Sequence, residues 1–586
     1  MRQTNRAGVS RPLLYAVLIL LVGLAYRATF ISQGFAATDE GWLQSLGYRI
    51  AHGQLPYRDF DYALPPLSIY KEAALIKVFG DAYGVLASRW AFVVLATIGS
   101  VLTFLIIRRY VGDRVAFLTA LPTVFFSVIL YYFSNYNYDS LVLLLAAIAF
   151  LVYAKPDHPW FPLLAGVAAG LSLLAKPTYG AFLVAVVVAG LVAPRLPGLK
   201  SETIRGLRQW PLVLLGAAIP VLVVVVAVAL EGASRQFFYQ AFLLYRAAHP
   251  GSLLGLIVQG IPGYAKRPAG LVGAVIAVLL MVSPRQPALR WARLGAVTVG
   301  LAAVLALTVA VPDRAQPAFL VAGFECLWLI NLVALVSGLR GGFPSPELPL
   351  LALALQYLSQ ITYNGVVLYY VGAYLTVPVA LMFLAGAPTP RETQAPTLTH
   401  SRERGREIVG RSGRGSVIAA LVGIWLVLGS VIVTRMNVYE DAPRAQLTSA
   451  FTSAKLQGIS SLPTTTHRID AAISAVNHLS RPGEPIFAFP DLAILYFLTN
   501  RTNPTRVDWY NTGSITPDEV TQAVADLTLN PPRVVLLQAY RESDFQRAEQ
   551  LDYVSEPKWL PIIAYLMSHY RPVGQAGDIT VMVPAG

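Results

Sequence analysis

The sequence predicts an α-helical polytopic membrane protein of about thirteen transmembrane helices, with a small C-terminal α/β domain outside the membrane. Three observations lead there. Only 13% of the 586 residues are charged, about half the share of a soluble domain. The mean hydropathy is +0.56 over the whole length, which lipid as the main solvent explains and a soluble core does not. The formal net charge of +13 is gathered in short stretches between apolar runs. That placement makes membrane lipids the partners of the basic residues and excludes nucleic acid.

A helix crossing the hydrocarbon needs about 20 apolar residues. Such spans are predicted to begin near Leu13, Trp90, Val115, Leu141, Trp160, Gly180, Pro211, Ala269, Leu294, Ala318, Leu348, Val366 and Val417. Several neighbours are parted only by Pro, Gly or a short polar turn, so the count carries a tolerance of about one or two. The first span follows Arg2, Arg6 and Arg11, with no clean small-residue cleavage site after it. It reads as a retained helix, not a signal peptide. The basic stretches RRYVGDR (108–114), PRLPGLKSETIRGLR (194–208), SPRQPALRWAR (283–293) and PRETQAPTLTHSRERGREIVGRSGR (390–414) fall on alternate loops. The positive-inside rule makes that side, and the N-terminus with it, cytoplasmic.

The chain then divides into a transmembrane domain over 1–434 and an extracytoplasmic α/β domain over 435–586. The first domain has outward loops at 32–88 and 231–268 and a basic cytoplasmic linker at 388–415. Loop 32–88 is too long for a connector and rich in Trp, Tyr and Pro, and it predicts surface helices around 41–51 and 67–79. Loop 231–268 reads as amphipathic interfacial helix. The 388–415 stretch, polar and poor in aromatics, reads as a disordered linker. In 435–586, IFAFP (486–490), RVVLLQ (533–538) and ITVMVP (579–584) predict strands, and 469–479 and 518–527 predict amphipathic helices. No repeat of fixed period is present.

The single cysteine, Cys326, lies in an apolar run, which excludes a disulfide framework within the chain and reads as a small buried hydrophobe. The residues with chemical potential lie in the first loop. Asp39 and Glu40 follow the first span directly, in a segment that gathers acids, aromatics and a Pro-Pro corner. Two readings stand for such a pair: a solvated turn, or a partly desolvated carboxylate that acts as a general base.

The acidic pair, G-x-L-P-Y-R-D-F (53–60) and P-P-L-x-x-Y (65–70) resemble integral-membrane glycosyltransferases of the GT-C type. Protein O-mannosyltransferases and the aminoarabinose transferases of lipid A are the nearest kin in pattern. NYDSLVLLLAAIAFLVYA (137–154) resembles the family's second acidic position. AGVAAGLSLLAKPTYG (165–180) and YFLTNRTNPTR (496–506) resemble further segments. The resemblance implies transfer of a sugar from a polyprenyl-phosphate carrier to a hydroxyl of a lipid, glycan or protein acceptor, at the outer face of the plasma (inner) membrane. It implies Asp39 as general base in an inverting displacement, Glu40 as its support and Asp139 as a second site carboxylate. The plain alternative for Asp139 is a helix N-cap.

The chain departs from its relatives at Ala63-Leu64, where many carry an acidic-basic pair before the Pro-Pro corner. The missing acid leaves a divalent metal possible but unsupported by the motif, and no cofactor is assigned. Arg58, Lys176 and Arg246 stand as replacement binders of the donor phosphate, against the alternative of basic residues snorkelling to headgroups. A second departure is Gly372-Ala373, where relatives often have an R-Y pair. His249 reads as structural or as a ligand. Trp42, Tyr57, Phe60, Tyr62 and Tyr70 read as sugar platforms, as a lipid-tail groove or as an interfacial aromatic belt. The competing functions are a flippase for lipid-linked saccharides, which would call for internal symmetry and mid-span charges, and a non-catalytic member.

Overall fold

A computed structural model of the chain describes residues 10–126, 132–133, 135–155, 157–192, 208–244, 268–281, 287–310, 312–360, 373–386, 402–436, 438–510, 515–538 and 557–586. Helix dominates. The membrane part contains α1 (Arg11–Ala28), α2 (Asp39–Ala51), α3 (Leu67–Phe79), α4 (Gly84–Arg108), α5 (Asp113–Ala120), α6 (Tyr136–Val152), α7 (Trp160–Ala175) and α8 (Ala181–Val192). It continues with α9 (Trp210–Leu230), α10 (Pro268–Met281), α11 (Pro287–Ala310), α12 (Pro312–Leu339), α13 (Glu347–Gln360), α14 (Ala373–Ala385) and α15 (Arg402–Met436). Among the described residues, Arg11–Ala28, Asp81–Arg108, Trp210–Leu230 and Val417–Met436 are long and apolar enough to cross a bilayer, and shorter apolar helices accompany them. Leu21, Val223 and Leu271 leave more than half of their surface outside the protein, as side chains in contact with lipid do. The chain is a multi-pass membrane protein.

Small residues let these helices approach. A Cβ at Gly166 of α7 would stand 2.0 Å from the carbonyl oxygen of Val213, and one at Gly216 of α9 would stand 2.1 Å from that of Leu163. Gly170, one turn after Gly166, meets Ala217 in the same way at 2.5 Å. In lipid, helices associate by such backbone-to-backbone packing because apolar burial gives no net drive. The G-x-x-x-G segment noted in the sequence therefore has a packing reason. Gly216→Val is expected to lower stability by about 1–3 kcal/mol through overpacking. Gly295→Val, where nothing lies within 4 Å, leaves the melting temperature in detergent unchanged.

The basic stretch before the last span differs from expectation. Residues 402–415 continue α15 as helix, and 388–401 of the predicted linker lie outside the described residues. A helix already nucleated in the span extends backwards at one hydrogen bond per residue, which composition alone does not register.

Beyond Val438 the chain forms a mixed sheet. After the short antiparallel pair β1 (Ser449–Ala450) and β2 (Ser460–Ser461), strands β3 (Ile486–Phe489), β4 (Val534–Gln538), β5 (Tyr570–Ala576) and β6 (Ile579–Pro584) order as β3-β4-β6-β5. β3 and β4 are parallel, and the remaining pairs are antiparallel. Strand β5 is the one the sequence pattern does not predict, since its five middle residues are all exposed and lack apolar alternation. Helices α16 (Pro463–Leu479), α17 (Ile494–Thr499), α18 (Pro517–Leu529) and α19 (Leu560–His569) surround the sheet. α18 opens on a capping box between Thr516 and Glu519, which satisfies two otherwise orphaned N–H groups.

The sheet buries both faces. Phe487, Phe489, Val535 and Met582 pack with Trp559 and Leu566. Ile486, Ala488, Val534, Leu536 and Val581 pack with α16 and α17, and also with Phe35, Ile76 and Val85 from the membrane part. The loop after α1 thus shares a hydrophobic core with the sheet, and this shared core positions the candidate site.

Candidate functional site

Helix α2 carries Asp39 as its first residue and is held from four sides. Glu40, 1% exposed, makes a two-pronged ion pair with Arg89 of α4, both bonds at 2.7 Å. Arg89 also donates to the carbonyls of Ile31 at 2.7 Å and Gly34 at 2.9 Å. Its guanidinium lies 4.5 Å from the Tyr132 ring centroid. A buried pair this well satisfied fixes geometry more than it adds stability. Gly47 lets α3 pass, since a Cβ there would stand 2.6 Å from the Glu72 Cβ, and Gly41 does the same for Ile494 of α17. Arg49 forms an ion pair with Asp508, whose other oxygen accepts from Ser45 Oγ at 2.5 Å.

The same docking recurs around α2. Arg506 donates to Asp61 at 2.9 Å and to the Tyr57 carbonyl at 2.8 Å. Lys455 reaches the Phe497 carbonyl at 2.5 Å and Asn500 at 2.6 Å. Asp441 accepts from the Phe35 N–H at 2.9 Å and from Ser461 Oγ at 2.6 Å. The 496–506 segment singled out in the sequence is therefore a docking element for the first loop.

Asp39 stands apart from its neighbour. Glu40 is spent on Arg89, whereas Asp39 is a partly buried residue whose carboxylate accepts a hydrogen bond from the Tyr439 hydroxyl, contributed by the turn after the last span. Burial raises the Asp39 carboxyl above its ordinary value, and the Tyr439 hydrogen bond offsets part of the rise. The Tyr136 hydroxyl lies within electrostatic reach of Asp39. Tyr136 opens α6, whose first turn is capped by Asn135 through its own side chain.

That first turn of α6 gathers the other predicted residues. Asp139, 5% exposed, accepts from Ser68 Oγ at 2.7 Å and from Lys71 Nζ at 2.7 and 2.9 Å. It is not the N-cap, a place taken by Asn135. Lys176, 6% exposed, follows α7 and donates to the Asn137 side chain at 2.7 Å. Among the described residues no carboxylate pairs with Lys176. Tyr62 lies within electrostatic reach of Tyr136, Asp139 and Glu72, which links the Asp39 end of the cluster to the Asp139 end. Asp39, Asp139 and Lys176 are thus joined through Tyr136, Asn137 and Asp139 of one helical turn.

Lys71 is the residue the sequence reading passed over. From one turn into α3 its Nζ lies 2.7 Å from Asp139 and 3.2 Å from Glu72. Burial opposes the Lys71 ammonium, but the charges of Asp139 and Glu72 outweigh it and raise its pKa. The signal was available: a lysine three residues after a buried-face serine on a helix next to the Pro-Pro corner. Lys71→Met removes the ammonium shared by the buried carboxylates of Asp139 and Glu72 and is expected to cost about 3 kcal/mol, read as a lower melting temperature. Lys71→Arg restores most of it.

The remaining candidates lie elsewhere. Arg58 is 48% exposed and pairs with its own neighbour Asp59 at 2.8 Å, so it takes no part in the cluster. Arg246, His249 and Gly372 lie outside the described residues. Tyr57, Phe60 and Tyr62 are buried to within 1% and form the core of the first loop, neither belt nor platform. Trp42 is half-buried, its ring centroid 5.3 Å from those of both Tyr62 and Trp509. Trp509 in turn donates to Asp491 at 2.7 Å. Cys326 is buried. Among the described residues no three His, Cys, Asp or Glu side chains are placed to hold a metal ion.

Residues 64–230 match a family model described as dolichyl-phosphate-mannose-protein mannosyltransferase. Among solved structures, ArnT from Cupriavidus metallidurans in the apo state is similar at 14% identity, over 97% of this chain and 97% of that one, with a TM-score of 0.44. The same protein bound to undecaprenyl phosphate gives 14% identity, 97% and 97% coverage and a TM-score of 0.43. The oligosaccharyltransferase AglB from Archaeoglobus fulgidus, in complex with an inhibitory peptide and a dolichol-phosphate, is similar at 12% identity, over 97% of this chain and 74% of that one, with a TM-score of 0.48. No curated protein matches the chain. From α3 to the end of α9, the stretch that supplies Lys71, Asp139 and Lys176, the chain carries the sequence pattern of the dolichyl-phosphate-mannose-protein mannosyltransferases, and the resemblance to GT-C-type membrane glycosyltransferases stands.

Proposed function

We propose that the protein is a glycosyltransferase that moves a sugar from a polyprenyl-phosphate donor to a hydroxyl acceptor at the outer face of the plasma membrane, with Asp39 as general base. The observation that carries this reading is the pairing of unlike sites on one helical turn. Asp39, partly buried and held by Tyr439, lies beside Tyr136. Lys176, buried and without a carboxylate partner among the described residues, is fixed to Asn137. A buried ammonium without a counter-ion is costly, and the phosphate of the donor supplies the missing charge. The match of 64–230 to a family defined by a dolichyl-phosphate sugar supports the same donor class.

The chemistry follows from these positions. An acceptor hydroxyl is a weak nucleophile at neutral pH, so Asp39 takes its proton as the oxygen attacks the anomeric carbon. The bond from that carbon to the phosphate oxygen breaks, and the polyprenyl phosphate leaves with the electron pair. Lys176 stabilises the charge that develops on the departing phosphate. A single displacement of this kind inverts the anomeric centre. Asp139 is a positioning residue: with Ser68 and Lys71 it pins α3 to the first turn of α6. Glu40 likewise positions Asp39 through Arg89.

The test is turnover by the purified chain of radiolabelled undecaprenyl-phosphate mannose, glucose, galactose and aminoarabinose with candidate lipid, glycan and peptide acceptors, followed as release of undecaprenyl phosphate and transfer of label. Release from at least one donor is expected, and release from none while all bind would refute the reading. The rate rises with pH as Asp39 ionises. Because burial raises that carboxyl, the acid limb is expected above the ordinary aspartate value of about 3.9, and Tyr439→Phe moves it higher still.

A further inference from the structure

One end of the outer sheet carries a cavity that the proposed chemistry does not use. Its volume is about 400 Å³, within the range of small-ligand sites. Four prolines line it: Pro485 before β3, Pro531 and Pro532 before β4, and Pro584 at the end of β6. Two tyrosines complete the apolar wall, and their hydroxyls are already committed to it. Tyr570 donates to the Pro532 carbonyl at 3.0 Å, and Tyr565 of α19 donates to the Leu527 carbonyl at 2.8 Å. The Arg533 N–H is tied to the Pro485 carbonyl at 2.7 Å. Walls fixed in this way need no ordering when a ligand arrives, which lowers the cost of binding.

Three polar side chains at the cavity keep bonding capacity to spare. Arg533 is exposed, and its guanidinium has no hydrogen bond or ion pair among the described residues. Glu484 accepts from the Arg481 N–H through Oε2 at 2.6 Å, and its Oε1 accepts no bond among the described residues. His569 lies with Nδ1 2.9 Å from the Tyr565 carbonyl oxygen. In the neutral ring Nδ1 therefore carries the proton, and Nε2 is left as an acceptor. The imidazole also stacks on Tyr565, with centroids 4.4 Å and planes 21° apart, so the two rings form one flat surface.

The walls select the class of ligand. Proline has no N–H and that of Arg533 is spent, so the backbone donors that a phosphate or an added peptide strand requires are lacking. α18 ends at Leu529, two residues before Pro531, and α19 ends at His569. Two helix C-termini, the negative ends of their dipoles, thus lie beside the cavity and disfavour an anion. The Arg533 guanidinium disfavours a cation. A neutral ligand with several hydroxyls meets every group: it donates to Glu484 and His569, accepts from Arg533, and lays its C–H faces on the proline and tyrosine rings. We propose that this cavity binds a neutral saccharide unit, so that the outer domain holds a glycan at a site of its own. β3 separates the cavity by about 13 Å of strand from Asp491, which adjoins the first loop through Trp509 and Trp42. The proposal stands whether or not Asp39 is the base.

Binding of the fluorescently labelled full chain in detergent to an array of defined ligands tests this. The array carries neutral oligosaccharides of glucose, galactose, mannose and N-acetylglucosamine, sulfated and sialylated glycans, and proline-rich peptides. Binding to at least one neutral series is expected, in preference to the anionic glycans and the peptides. Arg533→Ala, an exposed change that keeps the backbone bond to Pro485, is expected to weaken that binding about tenfold, the worth of a hydrogen bond from a charged group. Tyr565→Leu, which removes the flat surface, weakens it as well, whereas Tyr565→Phe keeps the ring and retains binding. Melting temperatures of the three variants show that each is folded. No neutral binding, a preference for anionic glycans or peptides, or neutral binding that survives both Arg533→Ala and Tyr565→Leu would overturn the proposal.

Discussion

Asp39→Asn is expected to reduce sugar transfer by about 10²–10⁴-fold, the usual worth of a positioned general base, while leaving fold and donor binding in place. Asparagine keeps the size of the side chain and accepts the Tyr439 hydroxyl through its amide oxygen, so α2 retains its contact with the turn after α15. It cannot take a proton. The loss should therefore appear in kcat with KM for the donor little changed, since the proposed seat of the donor phosphate is Lys176, not Asp39. A fall in KM and kcat together, or a lower melting temperature, would assign Asp39 a structural role instead. The comparison with Glu40→Gln is informative because the two acids are adjacent in sequence and different in environment, one partly buried and one 1% exposed against Arg89.

The largest effect on stability is expected at Arg89. Its guanidinium is fully buried and bonds Glu40 and the carbonyls of Ile31 and Gly34. Arg89→Met strands the Glu40 carboxylate in the interior, and loss of one member of such a pair costs about 3–5 kcal/mol. The double variant Glu40→Gln, Arg89→Met removes the stranded charge and should recover a large part of that loss. Thermal melts of the four proteins in one detergent form a double-mutant cycle. Additive losses would mean that the pair is not coupled, against the geometry.

The site was readable where chemistry and local pattern coincide. Asp39, Asp139 and Lys176 each sit at a helix end beside a sequence motif, and the two helices of the first loop follow from its length and its Trp, Tyr and Pro content. Pattern failed where a function is delivered from far along the chain. Lys71 meets Asp139 only because α3 packs against the first turn of α6, a matter of helix packing. Tyr439 reaches Asp39 only because 438–441 folds against the first loop, a contact between positions four hundred residues apart that no local window contains. The aromatics of the first loop misled for the reverse reason. Tyr57 and Phe60 have the composition of an interfacial belt, but Phe237 packs against Tyr57 and Arg49 of α2 lies over Phe60, which makes them core. Strand β5 escaped notice because an edge strand with exposed side chains has little apolar pattern to show.

The central claim is that the donor phosphate meets Lys176 on the same side of the first turn of α6 as the Asp39 carboxylate. Electron cryomicroscopy of the Asp39→Asn variant with undecaprenyl phosphate tests this most directly. The account predicts phosphate density within hydrogen-bond reach of Lys176, with the lipid tail running out between the spans and residue 39 facing the phosphate. Phosphate density at the opposite end of the spans, or next to other cations with Lys176 still bonded only to Asn137, would contradict it.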